Sequence, residues 1–178
     1  MLAPPLELYV ADSGNPRVCF IDSQGVVSTL AGVPGHAGFA DGAKDVAKFN
    51  GPRSLLLTPH GDLLVSDQGN QRIRIVETNG LVSTFAGCDR PGCLDGPRER
   101  ATFSSPSELC LAPSGDLYVS DFTNNKIRHV KCPMWDTTTT KRSTASSPHF
   151  SLESLIDETC PAQMSDFSIT ITGSRNKP

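Results

Sequence analysis

Long apolar runs, aromatic side chains and strong net charge are all scarce in this sequence. No apolar run approaches the roughly 18 residues that a membrane span requires. Aromatic residues make up 6% of the 178 residues, and the formal net charge is −3. Such a charge gives no global reason to expect nucleic acid or an anionic membrane as a partner. No segment has apolar residues at helical spacing over a length that a crossover helix requires, which excludes long-helix and βαβ proteins. The missing apolar run excludes a protein that spans the membrane with helices.

Glycine and proline, by contrast, are abundant, with 15 and 14 copies. Both residues favour turns, so the chain is expected to turn often. The first residues lack the basic and apolar regions of a secretory signal. We therefore expect an intracellular, cytoplasmic protein, although a truncated N-terminus would hide such a signal.

A repeat of 54–55 residues organises most of the chain. Asp12, Asp67 and Asp121 each end a short apolar run, and they are 55 and 54 residues apart. An asparagine follows each aspartate by three residues, and a cation follows by five. The asparagines are Asn15, Asn70 and Asn124, and the cations are Arg17, Arg72 and Lys126. Matches in register over several motifs indicate a repeat protein.

Two further motifs keep the same spacing. Val27–Gly32, V-S-T-L-A-G, returns as V-S-T-F-A-G in Val82–Gly87. The motif D-G-x4-A-x-F-x2-P also occurs twice, with Phe49 and Pro52 in one copy and Phe103 and Pro106 in the other. These residues and the Asp and Asn pairs are the repeat-defining structural positions.

Each period predicts four short strands, which in the complete unit are 54–58, 63–66, 72–76 and 81–86. A glycine-rich loop, 87 to about 101, leads to the next unit. Four antiparallel strands in a unit of this size are typical of a β-propeller blade. A closed ring needs at least four blades, so we expect the chain to be a fragment of a longer protein, with the remaining blades supplied by that chain or by another copy.

The motifs V-S-T-[LF]-A-G, D-G-x4-A-x-F-x2-P and G-D-L-[YL]-V-[AS]-D-x2-N-x-[RK]-[IV]-R resemble the NHL repeat. The resemblance covers residues 6–131 and departs at Cys19, where the repeat usually has arginine. It implies an all-β, partial NHL-type β-propeller of about two and a half four-stranded antiparallel blades with a flexible C-terminal tail. It also implies a binding function, because proteins of this family mostly bind proteins or RNA.

The predicted domain boundaries follow from the repeat. The propeller segment is 6–131, with blade pieces 6–32, 52–87 and 106–131, and a low-complexity linker occupies 132–149. Residues 150–178 predict a short helix and a strand, which resemble the beginning of a truncated BTB/POZ domain. The alternative is the helix-strand start of some other domain.

No catalytic, cofactor or metal residues are predicted. The repeated aspartates precede turns, where Asx side chains accept local backbone hydrogen bonds, and the four histidines have no ligand-like spacing. Among the six cysteines, Cys19 and Cys110 lie in predicted strands and are expected in the core. The sequence does not decide whether Cys88 and Cys93 form a disulfide.

The repeated cations form the candidate partner-binding face. It comprises Arg17, Arg72, Lys126, Arg74 and Arg128. The alternative is that a cation pairs with the acidic turn residue beside it, in a structural role. The inter-blade loops 33–46 and 88–100 are expected to supply specificity.

The predicted function is a non-enzymatic protein-interaction or scaffold module. If the BTB/POZ resemblance holds, the intact protein would be a substrate adaptor of a ubiquitin ligase with a cullin as partner. The alternatives are an RNA-binding NHL propeller, disfavoured by the few aromatic residues, and a metal-dependent propeller lyase or hydrolase.

Overall fold

The computed structural model describes residues 7–132 of the chain. These residues belong to the first of the two units into which the chain divides, Met1–Thr140 and Lys141–Pro178. The predicted helix and strand in 150–178, and the linker beyond Cys132, lie outside the described residues. In the described part, all regular structure is β-strand except for a 3-10 turn at Gln68–Asn70.

The first blade is an antiparallel sheet in the order β1-β2-β3. Its strands are β1 (Leu8–Asp12), β2 (Arg17–Ile21) and β3 (Val27–Ala31). The carboxylate of Asp22 shapes the turn between β2 and β3, because it accepts hydrogen bonds from the backbone N–H groups of Gln24 and Val26, both at 2.9 Å. Gly25 completes this turn with φ at +80°, where glycine has no steric penalty.

The second blade contains five strands, one more than the sequence predicts. They are β4 (Gly42–Ala43), β5 (Pro52–Leu57), β6 (Leu63–Asp67), β7 (Arg72–Val76) and β8 (Leu81–Ala86), in the order β4-β8-β7-β6-β5. The extra strand, β4, comes from the loop between the first and second blades and pairs with the outer edge of β8. It has two residues, too few to show any hydrophobic alternation.

The third blade has three strands within the described residues, in the order β11-β10-β9. They are β9 (Pro106–Leu111), β10 (Leu117–Asp121) and β11 (Lys126–Val130). The four antiparallel strands predicted for the complete unit are present as β5 to β8, and the all-β propeller fold that the sequence predicts is confirmed. The repeat is also structural, since β6-β7 and β10-β11 pair in the same register relative to Asp67 and Asp121.

Two apolar cores join the blades face to face. The core between the first and second blades contains Val18, Ala31, Ala47, Phe49, Leu63, Val65, Val76 and Val82. The core between the second and third contains Leu64, Ile73, Phe85, Ala86, Phe103, Leu117, Val119, Val130 and Cys132. Phe49 and Phe103 take equivalent places in the two cores and are almost completely buried. Burial of such large apolar side chains is the main favourable contribution to folding.

Serine side chains connect the second blade to the third near β5 and β9. The hydroxyl of Ser66 donates a hydrogen bond to the Ser107 carbonyl at 2.6 Å and accepts one from the N–H of Ser54 at 2.8 Å. The N–H of Leu109 donates to the Ser54 hydroxyl at 3.2 Å. These bonds satisfy buried polar groups between the blades, which apolar packing alone would leave unpaired.

Candidate functional site

A buried aspartate lies at the end of β6. One carboxylate oxygen of Asp67 accepts a hydrogen bond from the N–H of Asn50 at 2.7 Å. The other oxygen accepts from the Asn70 side chain at 2.8 Å and from the Arg74 guanidinium at 2.9 Å. Asp67 is fully buried, and a buried charge requires such compensation.

Arg74 connects this carboxylate to the loop between the first two blades. Its guanidinium donates to the carbonyl groups of Lys48 at 3.0 Å and Ala40 at 2.8 Å, and it also pairs closely with the carboxylate of Asp41. The guanidinium lies 5.3 Å from the centre of the Phe49 ring. Arg74 therefore joins β7, the loop and the core through one buried side chain.

The third blade repeats this arrangement. Asp121 accepts from the N–H of Ser104 at 2.7 Å, from Asn124 at 2.8 Å and from Arg128 at 2.9 Å. Arg128 donates to the Thr102 carbonyl at 2.8 Å and pairs with Asp95 of the second inter-blade loop. We call each Asp-Asn-Arg set with its loop aspartate a staple, namely Asp67, Asn70, Arg74 and Asp41 in one blade and Asp121, Asn124, Arg128 and Asp95 in the other.

The first blade has no such arginine, because Cys19 occupies the equivalent position. Here Arg17 pairs with Asp12 at 3.0 Å and donates to the Thr29 hydroxyl at 2.9 Å. Asn15 is 3.2 Å from both carboxylate oxygens. The Asp12 side chain is partly exposed, so a surface cation replaces the buried one.

The burial of Arg74 and Arg128 contradicts the prediction that both present their charge to a partner. Arg74 is 0% exposed and Arg128 is 8% exposed. Their charges are matched by aspartates of the same blade and of the loop. Arg74 and Arg128 therefore have a structural role, whereas the alternative of pairing with the adjacent acidic turn residue is observed for Arg17, which pairs with Asp12.

The other repeated cations lie nearer the surface, beside the turns that join β1 to β2, β6 to β7 and β10 to β11. Arg72 stacks on the exposed ring of Phe39, with 4.0 Å between the guanidinium and the ring centre. Lys126 lies 2.9 Å from the Cys93 sulfur. Phe39 and Cys93 are equivalent in the repeat, because each precedes its staple aspartate by two residues.

We define the turn face as these three turns and the adjoining loop residues. Its members are residues 13–16, 68–71 and 122–125, with Arg17, Phe39, Arg72, Cys93, Leu94 and Lys126. Stacked repeats place equivalent positions on one side of the array, so the turns share an end of the blades. Three large apolar side chains are exposed there, Phe39 by 45%, Leu94 by 58% and Phe122 by 67%. The sequence singled out the cations of this face but missed its apolar residues, which have no periodic pattern.

Electrostatic effects on the aspartates differ with burial. The hydrogen bond from Arg17 holds the pKa of Asp12 below its usual 3.8. The backbone N–H of Cys132 similarly lowers the pKa of Asp116. Burial raises the pKa of Asp67, against the hydrogen bonds that lower it.

The cysteines in the described residues are free thiols. Cys19 is buried in its strand, as predicted, but Cys110 is exposed, so the prediction that Cys110 lies in the core is wrong. Its side chain points away from the core because Leu109 and Leu111 pack against the core on either side of it.

Neither a metal centre nor a membrane helix is found in residues 7–132. No three His, Cys, Asp or Glu side chains of this region are placed to hold a metal ion. No helix of this region is long and apolar enough to cross a membrane.

Comparisons with known proteins support the fold. No family model matches the chain. The protein SUPPRESSOR OF QUENCHING 1, chloroplastic, of Arabidopsis thaliana is 30% identical over 139 residues, which are 72% of this chain and 13% of that protein. Teneurin-m of Drosophila melanogaster is 26% identical over 152 residues, covering 71% of this chain and 6% of that protein.

A solved structure is similar over the same region. An auxiliary nutrient binding protein from Bacteroides thetaiotaomicron superposes with a TM-score of 0.63 at 22% identity, covering 69% of this chain and 34% of that one. The chain is a segment of a β-propeller with NHL-like repeats. The chain spans only a small part of the length of the relatives it matches. The activity and partners of the whole protein are therefore proposed and not inferred from those relatives. That the chain is not an enzyme stays a prediction.

The first prediction concerns the staple. Arg74→Met should lower the free energy of unfolding by about 3–5 kcal/mol, because it leaves the Asp67 carboxylate buried without its cation. Arg72→Met, in the same strand but on the surface, should cost about 1 kcal/mol or less. Urea denaturation of the full chain measures both. If Arg74→Met is too unstable to purify, Arg74→Lys, which keeps the charge, should unfold at an intermediate midpoint. Equal losses for Arg72→Met and Arg74→Met would contradict the role of the staple.

The second prediction concerns the pH dependence of the first blade. Because the folded pKa of Asp12 is lowered, its pair with Arg17 stabilises the protein above about pH 3.8 and stops doing so as the pH falls through the folded pKa. Asp12→Asn should therefore lower the unfolding midpoint at pH 6 more than at pH 2.5. In an Arg17→Gln background this pH-dependent difference should shrink. A midpoint difference that is the same at both pH values would contradict the pairing.

Proposed function

We propose that this propeller segment is a protein-binding module and that the turn face is its binding surface. The observation that carries the proposal is the grouping of exposed Phe39, Leu94 and Phe122 with Arg72 and Lys126 at one end of the blades. Aromatic residues and arginine are enriched among the residues that dominate protein-protein binding energy. Exposed apolar groups of this kind, next to cations, suit a partner with apolar and acidic side chains.

The staples support this proposal by fixing the loops that contribute to the surface. Asn70 donates to the Gly38 carbonyl at 2.8 Å, and Asn124 donates to the Gly92 carbonyl at 2.7 Å. Phe39 and Cys93 each follow such a glycine by one residue, so their backbone positions are set by the buried network. A surface that is ordered before binding loses less conformational entropy when the partner docks.

RNA binding is the weaker alternative. A cation stacked on an aromatic ring, as in Arg72 and Phe39, would suit a nucleobase as well as a protein side chain. The burial of Arg74 and Arg128 removes two of the five predicted cations from the surface, however. A weaker basic surface means a smaller electrostatic contribution to phosphate binding. The experiment below includes RNA as an outcome.

A finer proposal concerns the intact protein. If residues 150–178 begin a BTB/POZ domain, the propeller segment would select substrates for a cullin-containing ubiquitin ligase. That role rests on the sequence resemblance of residues outside the described part of the chain. Cullin binding by the full-length protein in a pull-down is the expected result, and no binding would remove this role without affecting the turn face.

The third prediction tests the turn face. The variant Phe39→Ser/Phe122→Ser/Lys126→Glu should lose proteins that wild type retains in quantitative affinity purification. The matched control, Val26→Ser/Leu57→Ser/Arg53→Glu, removes a similar number of exposed apolar groups and one cation elsewhere, and it should retain them. Thermal melts of both variants check that each of them folds.

Two outcomes would overturn the proposal. One is an identical set of retained proteins for the turn-face variant, the control and wild type. The other is capture that ribonuclease abolishes and that falls steeply with salt, which would assign the turn face to RNA.

A further inference from the structure

We propose that Cys93 and Lys126 form an acyl-acceptor site, in which the Cys93 thiol takes an acyl group from a thioester and passes it to the Lys126 amine. Cys93 lies in the second inter-blade loop, and Lys126 is the first residue of β11. The Lys126 ammonium donates a hydrogen bond to the Cys93 sulfur, with 2.9 Å between Nζ and Sγ. A thiol and an amine in contact present two nucleophiles to the same electrophile.

Both side chains of this pair are accessible to a reagent in solution. Cys93 and Lys126 are exposed. The second blade shows that this position is accessible when the outer strand of a blade is in place. There β8 is present, and Phe39, the equivalent of Cys93, is 45% exposed. Exposure of the thiol is therefore a property of the inter-blade loop in a blade with its fourth strand.

The equivalent pair in the second blade lacks this chemistry. Phe39 has no nucleophilic atom, and Arg72 stacks on its ring with a guanidinium that stays protonated in proteins. The third blade keeps the loop position and the place of the cation, but it replaces the contact of ring and guanidinium with a contact of thiol and amine. The acyl-acceptor pair is thus a feature of the third blade, and the second blade supplies a comparison within the same chain.

The first step is an exchange of thioesters. The Cys93 sulfur attacks the carbonyl carbon of the acyl thioester, and a new bond forms between that carbon and Sγ. The bond from the carbon to the donor sulfur breaks, and the proton of Cys93 goes to the departing thiol. A thiol is a better nucleophile for this step than a lysine at neutral pH, because most of the lysine is protonated. The exchange consumes no oxidant and no reductant.

The second step moves the acyl group from sulfur to nitrogen. The carbonyl carbon is now one covalent bond from Sγ, which places it within reach of Nζ at the observed separation. The uncharged amine attacks that carbon, an amide bond forms, the bond to Sγ breaks, and a proton of Nζ returns to the sulfur. Reacting groups held in contact have a high effective concentration, so this transfer is much faster than acylation of a lysine by the free thioester.

The protonation of Lys126 changes in the favourable direction between the two steps. The Cys93 sulfur raises the pKa of Lys126, first through its hydrogen bond and then through its charge. An acylated sulfur carries no charge, so both effects disappear after the first step. Asp95 still raises this pKa, whereas burial and Arg128 lower it. A larger fraction of the amine is therefore uncharged when the acyl group is beside it.

Acylation changes the charge of the turn face. An amide at Lys126 removes one of its cations and a hydrogen-bond donor, as lysine acetylation does elsewhere. If the turn face binds an acidic partner, which is the proposed function above, this modification should weaken that binding. The consequence rests on the proposed function, whereas the transfer of the acyl group rests on the contact between Cys93 and Lys126 alone.

The fourth prediction is selective acetylation of Lys126. The full chain is incubated with acetyl-coenzyme A as the thioester and with a phosphine reductant that keeps the thiols free. Peptide mass spectrometry follows acetylation at each lysine with time. Lys126 should react at least about tenfold faster than Lys44, an exposed lysine of the first inter-blade loop, which contains no cysteine.

Two variants separate the relay from direct acylation. Cys93→Ser should slow acetylation of Lys126 at least about tenfold. The same change removes the sulfur that raises the pKa of Lys126, which alone would speed direct attack, so a slower reaction reports the lost relay. Cys110→Ser, at another exposed thiol, should leave the rate at Lys126 unchanged. In Lys126→Arg the acetyl group should remain on Cys93 as a thioester that neutral hydroxylamine cleaves. Thermal melts check that the variants fold.

Three results would overturn the proposal. They are equal rates at Lys126 and Lys44, an unchanged rate at Lys126 in Cys93→Ser, and no thioester on Cys93 in Lys126→Arg. The acetylation experiment needs no binding partner, and the affinity purification above needs no acyl donor. Failure of the turn face to bind a protein would therefore leave the acyl-acceptor site in place, and the two proposals can fail separately.

Discussion

The buried pair of an aspartate and an arginine, held by asparagine and a loop aspartate, is the interaction on which the rest of this structure depends. The second and third blades use it at the same place, where a strand ends and the next begins. It brings a full positive charge into a site where Arg74 is completely buried, and four oxygen acceptors from three segments compensate for it. The inter-blade loops owe their positions to this pair, and the turn face is made partly from those loops.

Much of the fold follows from the sequence because its signals are local. The strands alternate apolar and polar residues, glycine and proline mark the turns, and the 54–55 residue period brings equivalent motifs into register. What could not be predicted depends on contacts distant in sequence. β4 has two residues and forms only because β8 offers an edge. In R-I-R-I-V the alternation suggests that both arginines face solvent, yet Arg74 is buried. Its partner Asp41 lies 33 residues earlier, so the local pattern of the strand gives no sign of this pair.

In the candidate site, too, the sequence predicts only the residues whose positions recur in the repeat. The repeat locates Arg17, Arg72 and Lys126, whose positions recur, but not Phe39 or Phe122, whose equivalents in other blades are different residue types. Departures between repeats are also informative. Cys19 replaces the staple arginine, and Arg17 then pairs with Asp12. The spacing that recurs in the chain thus predicts the scaffold, whereas residue types that differ from blade to blade escape the prediction.

The central claim is that each staple holds its own inter-blade loop, and native-state amide hydrogen exchange tests it most directly. In Arg128→Met the N–H groups of Gly92 and Ser104, which are hydrogen-bonded within the second loop and to Asp121, should exchange faster than in wild type. The N–H of Asn50, which is bonded to Asp67 in the intact staple, should keep its wild-type rate. Equal acceleration at Asn50 and Ser104, or no acceleration at either, would contradict the account.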